Sequence, residues 1–321
     1  MSRERALKVG AYASTWLIWG STYIAIRWAV ETVPPFLMVA LRSLAAGATL
    51  LAWARLRGER APTRGQWLAA MVAGAMYFLI GHGGLFWAEQ RVASGAAALM
   101  IATEHFWGVL IAWMLPGGRA PSRRAAAGIA IGLLGVAMLT MGGGGEGGID
   151  PLGAVVLLVS SAGWAAGSLW FHGERRPTSA LYGAGMPLAM GGILLLIASA
   201  ATGETARVRA EDFTPVAIGA LVYLIVFGSV IAFTAFTWLV ETEGPSRAGS
   251  YAYINPFVAV LLGWALAGEA LTPRMLAAGA AIVLAVVLIV RGTHVQAPAR
   301  PPAAPAPVRR PTPRPLRERE A

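Results

Sequence analysis

FWGVLIAWMLPG at 106–117 and FVAVLLGWALAG at 257–268 align without a gap, and that alignment decides how the chain is built. The same offset, 257 − 106 = 151, carries RRAAAGIAIGLLGV at 123–136 onto RMLAAGAAIVLAVV at 274–287. More weakly, the Gly20–Ser21 step has a counterpart at Gly167–Ser168. Repeated segments of this size mark two copies of one structural unit. Each copy consists of apolar runs near the ~20 residues that cross a bilayer as a helix.

Working outward, ten such runs can be read at 9–30, 35–56, 67–88, 93–115, 124–141, 153–172, 179–201, 215–239, 247–268 and 274–291. The connectors carry breaker residues: VPP at 33–35, PGGRAPS at 116–122, GERRP at 173–177 and EGPS at 243–246. Five runs per copy is odd, so the second copy must insert upside down relative to the first. The sequence therefore predicts an all-α membrane protein of ten transmembrane helices arranged as two inverted five-helix repeats. Its predicted parts are a first repeat at 1–141, a Gly-rich linker at 142–152, a second repeat at 153–292 and a Pro/Arg-rich tail at 293–321. That tail has almost no bulky apolar residue and is expected to be disordered on the cytoplasmic side.

Composition agrees with a polytopic membrane protein. The 321 residues are 56% hydrophobic and 13% charged, about half the charged share of a soluble protein. There is no cysteine, which removes disulfides and thiolate chemistry. The net charge of +10 comes from one lysine, Lys8, and from arginines placed mostly in short loops and the tail. That distribution suits anionic headgroups rather than nucleic acid. With the N-terminus inside, twenty basic residues fall on the cytoplasmic side against five outside (Arg27, Arg91, Arg207, Arg209 and Arg274), so both termini are expected in the cytoplasm. The N-terminal run shows no cleavage site and reads as an uncleaved first span.

Energy coupling narrows the function. A phosphate-binding loop needs a lysine before Ser or Thr, and Lys8 has no such context, so GGGGEGG at 142–148 is a linker and ATP is not a partner. Inverted repeats enclosing a midplane site are a design of secondary transporters. The deep polar residues are Arg42, His82, Glu104, His105 and Asn255, with Glu104 the only acid deep in a span. Because 104 + 151 = 255, Glu104 and Asn255 are repeat mates at the bilayer centre. Intramembrane ionisable groups of this kind face a cavity or pair with one another. Glu104 is the candidate for a substrate amine or a coupling proton, and His105 and His82 for proton relay. Arg42 is the candidate for a substrate carboxylate or for an ion pair with Glu104. Trp19, Tyr23, Trp164 and Tyr253 are candidates for the cavity wall. No metal or other cofactor is implied. The competing reading is a membrane-embedded hydrolase or transferase using Glu104 and His105, against which no HExxH or GxSxG is present.

WGSTYIAIR at 19–27, PPFLMVALRSLAAG at 34–47, ASGAAALMIATEHFW at 93–107 and YAYINPFVAVLLGWALAGEALT at 251–272 together resemble the ten-helix EamA-type branch of the drug/metabolite transporter superfamily. The resemblance covers about 9–292 and leaves the tail outside. It implies a carrier of the bacterial inner membrane, commonly an exporter of amino acids, related metabolites or drugs, working by alternating access. One departure is local: His105 stands where the family usually has proline, as Pro256 does in the second repeat. A proline there weakens the helix at the midplane, so His105 predicts an unbroken fourth helix.

Overall fold

The structure is a computed structural model that describes residues 3–141 and 149–293. The linker core at 142–148 and the tail from 294 lie outside the described residues. Helix dominates, and no strand occurs among the described residues.

Local chemistry places the helix starts. Unit α1 runs over 3–30 and contains a π-helical segment, Ser14–Ile18. Pro34 is extended and Pro35 takes the first position of α2, Pro35–Leu56, where its missing N–H costs nothing. A Thr63–Gln66 capping box opens α3, Arg64–Glu89, which includes the π-helical segment Ala75–His82. Unit α4, Ser94–Met114, is followed by α5, Arg123–Thr140, whose Ser122 accepts from the Ala125 N–H at 3.2 Å. Asp150 and Pro151 start α6, Pro151–Trp170, two residues earlier than the sequence suggests, because Asp150 caps Gly153 at 2.9 Å. Ser179 caps α7, Ala180–Ala201. Thr214 and Pro215 open α8, Pro215–Glu243, with the π-helical segment Leu224–Ile231 inside it. A single turn, Pro245–Ala248, precedes α9, Tyr251–Ala267, which ends on Gly268 at φ +64°. The last helix, α10, is Pro273–Thr293.

Eight of these are long and apolar enough to span a membrane, and α9 is a shorter apolar helix. By length and hydropathy eight of the ten runs are supported as spans, α9 being short because the ninth run is cut at Gly249–Ser250. One correction concerns α4. It is broken into Ser94–Ile101 and Glu104–Met114 by a tight turn in which Thr103 N–H donates to Met100 O at 3.1 Å and Phe106 N–H to Thr103 O at 2.9 Å. The break therefore occurs without proline, stabilised by the Thr103 hydroxyl, which lies 2.9 Å from Ser161 Oγ on α6. Conversely α9 runs through Pro256 as continuous helix.

The helices pack in crossed pairs. Two long pairs, α2 with α7 and α5 with α10, flank a centre formed by α1, α3, α4, α6, α8 and α9. Small residues set the spacing of the first pair and its neighbour α3: a Cβ on Gly47 would lie 2.7 Å from Ala189 N, and one on Gly74 2.6 Å from Gly191 N. At the arginine-rich face, Lys8 bridges to Glu243 and Arg176 to Glu241, each at 2.9 Å.

Candidate functional site

The break in α4 places Glu104 at the first position of a half-helix, where the helix dipole favours negative charge. The side chain is 6% exposed, and Tyr251 Oη donates a short hydrogen bond to its Oε1. Tyr251 is likewise the first residue of α9, so two helix starts meet at this contact. His105 Nδ1 lies 3.6 Å from Glu104 Oε1.

Glu104, Tyr251 and Trp164 stand between two cavities. The inner one is about 60 Å³, with Trp19, Tyr23, Arg42, His82, Ser160 and Asn255 among its walls. The second is a vestibule of about 410 Å³, within the size range of small-molecule sites. It contains His105 and reaches Arg119, Pro121 and Ser122 in the connector after α4, at the arginine-rich face. At the opposite face two carboxylates with largely buried side chains hold helix starts. Glu204 accepts from the Leu37 N–H at 2.9 Å at the start of α2, and Glu269 from the Ser94 N–H at 2.7 Å at the start of α4.

Most of the sequence candidates converge here, with different duties from those expected. Arg42 is 3% exposed, but no Arg42–Glu104 ion pair forms; its Nε donates to Ser229 Oγ at 2.8 Å. Its Nη1 has no hydrogen-bond partner among the described residues, and its guanidinium lies 5.8 Å from the Phe86 ring centre. Gly228 makes room for it, since a Cβ there would sit 3.2 Å from Nη2. His82 Nδ1 is 3.1 Å from Tyr77 O within the π-helical segment, with its ring stacked on Phe78. His82 and His105 line different cavities, so they do not converge with Glu104 on one point. Trp19 donates to Gly228 O at 3.0 Å and packs edge-on against Tyr251 and Trp164. With its amide nitrogen turned towards them, Asn255 donates to Thr15 O at 3.1 Å, Trp16 O at 2.8 Å and Tyr251 O at 3.2 Å. It thus satisfies carbonyls that the π-helical segment of α1 leaves open. Tyr253 is a correction: it is half-buried against the core and lines neither cavity, because it faces away from Tyr251 on the same helix.

Sequence reading missed three groups. Tyr251 was legible only as one of many mid-span aromatics. Ser229 gave no signal among the apolar residues of α8. Glu104 is also not the only buried acid: Glu89 is 2% exposed and Glu204 5%, although both sit near ends of apolar runs and read as interfacial.

The profile of the EamA-like transporter family matches residues 11–141 and 151–291. The chain is 40% identical over 299 residues to the uncharacterized inner membrane transporter YedA of Escherichia coli K12, covering 92% of this chain and 94% of that one. It is 23% identical to Protein PecM of Dickeya dadantii, over 85% of this chain and 89% of that one. A solved crystal structure with 23% identity superposes with a TM-score of 0.61 over 92% of this chain and 100% of its own, a likeness of fold.

Proposed function

The chain belongs to the EamA-like transporter family, and on that premise we propose that it is a secondary transporter working by alternating access around the Glu104 site. The reading places both termini in the cytoplasm and the vestibule on the cytoplasmic side, so that this structure is open inwards. The cargo is a small molecule of the amino-acid, related-metabolite or drug class, exported across a bacterial inner membrane with protons as the coupling ion.

One observation carries the reading: Glu104 is buried yet borders both the inner cavity and the vestibule. A carboxylate at that boundary is positioned to meet cargo or a proton from either side as the bundles move. Arg42, with an unpartnered buried guanidinium nitrogen, offers the inner cavity a site for a carboxylate. The aromatic rings of Trp19, Tyr23 and Trp164 suit an apolar body between the two charges.

Support for ten spans in two inverted repeats comes from how the helices pair. Exchanging each helix with its repeat mate turns α3–α6 into α8–α1, α4–α6 into α9–α1 and α3–α7 into α8–α2, and every one of these contacts occurs. The pairs α2–α7, α4–α9 and α5–α10 map onto themselves. The π-helical segments of α3 and α8 also match, since 224 − 75 and 231 − 82 are both 149.

The test uses purified protein in liposomes, screened with labelled amino acids and cationic drugs with and without a pH gradient. Gradient-dependent uptake that Glu104→Gln abolishes is expected. Uptake that survives Glu104→Gln, or chemical conversion of a compound without net movement, overturns the reading.

A further inference from the structure

Glu89 ends α3, is 2% exposed, and neither of its carboxylate oxygens has a hydrogen-bond partner among the described residues. It lies outside both cavities described above, on the arginine-poor side. Of the elements packed against this end of α3, α1 brings Arg27 and Tyr23, and the segment after α9 brings Glu269. Arg91, two residues on, is stacked over Trp87 at 4.1 Å.

These groups form the closure of that side. Glu269, with its side chain 6% exposed, grips the first turn of α4 through Ser94 N–H and Gly95 N–H, and Arg27 lies 3.7 Å from it. Gly263 leaves the room, as a Cβ there would fall 2.3 Å from Glu269 Oε2. Arg27 therefore lies beside both acids, and the Glu89 carboxyl is left buried without a side-chain donor. Burying a carboxylate away from donors is costly, and burying the neutral acid costs less. Tyr23, one turn before Arg27, lines the inner cavity and lies in electrostatic reach of both Glu104 and Glu89.

We propose that Glu89 is a second proton-binding site, neutral while the arginine-poor side is closed and ionised when that side opens. Opening pulls the start of α4 off Glu269 and wets Glu89. The carboxyl O–H bond then breaks, the proton passes to water on that side, and the electron pair stays on a carboxylate that Arg27 is placed to neutralise. The proposal rests on alternating access, but not on Glu104 carrying a proton.

The test needs no cargo. Ala96, 6% exposed, lines a cavity with Arg27 and Glu269, and the chain has no native cysteine. Ala96→Cys is labelled with a maleimide in lipid nanodiscs, where both faces meet the reagent and orientation does not matter. Rates are taken from pH 6 to pH 8 and divided by those of Glu89→Gln/Ala96→Cys, which cancels the thiol's own pH dependence. The ratio should rise with pH by several-fold, bounded at about tenfold per pH unit for one proton. Glu89→Asp and Glu104→Gln, each combined with Ala96→Cys, should keep the rise, and Glu89→Met/Ala96→Cys serves as the reference if Glu89→Gln does not fold. A flat or falling ratio, or loss of the rise in the Glu104→Gln background, overturns the assignment of Glu89. Failure to label Ala96→Cys at any pH would instead overturn the alternating access beneath it.

Discussion

At the scale of single residues, the site is decided by which polar groups have partners. Asn255 and Glu104 are repeat mates by arithmetic and both line the inner cavity, yet Asn255 also joins α9 to α1 while Glu104 also borders the vestibule. Asn255→Ala should therefore lower stability by about 1–3 kcal/mol through loss of its amide N–H hydrogen bonds, and Asn255→Asp by more, since a carboxylate would face three carbonyls. Thermal unfolding in detergent checks this; an unchanged melting temperature for Asn255→Asp would show that the amide orientation is wrong. Tyr251→Phe removes the donor to Glu104 and should reduce transport at normal protein levels. Because Arg42 bonds Ser229 and not Glu104, Arg42→Gln should not rescue the stability of Glu104→Gln. Full rescue would mean that the two charges pair after all.

At the scale of elements, irregular helix recurs around the site. Segments of π-helix interrupt α1, α3 and α8, and a turn splits α4, while α2, α6 and α9 bring Arg42, Trp164 and Tyr251 on regular helix. The flanking helices α2, α5, α7 and α10 are regular and packed through small residues. The contrast gives a paired prediction on glycines. Gly74→Leu should prevent folding, because the Cβ alone would meet α7 backbone at 2.6 Å. Gly108→Ala, in open space on the second half of α4, should stabilise by about 0.5–1 kcal/mol through helix propensity. Expression and melting temperature of the two variants would check both; a folded Gly74→Leu protein would contradict the close α3–α7 contact.

At the scale of the whole molecule, the proposed orientation rests on arginine placement and is open to a direct check. Glu174, in the α6–α7 connector, and Glu211, in the α7–α8 connector, are both exposed and lie on opposite faces by this topology. A cysteine at 211 should react with an impermeant reagent added to intact cells, while one at 174 is protected; the reverse pattern would invert the protein. Family, helical class and the duplication were all legible in the linear chain, because apolar run length, breaker residues and a constant offset are local or periodic signals. So was the group of polar residues from which the site is drawn, since Arg42, His82, Glu104 and His105 stand out against apolar neighbours. What only the tertiary structure decided is which of them meet. Arg42 turns to Ser229, Tyr251 rather than Arg42 contacts Glu104, and Glu89 stays buried without a partner. These outcomes depend on where half-helices begin and how closely glycines let the helices approach. Both arise from contacts between segments far apart in the chain, such as Thr103 with Ser161 and Gly74 with Gly191, which leave no pattern along it.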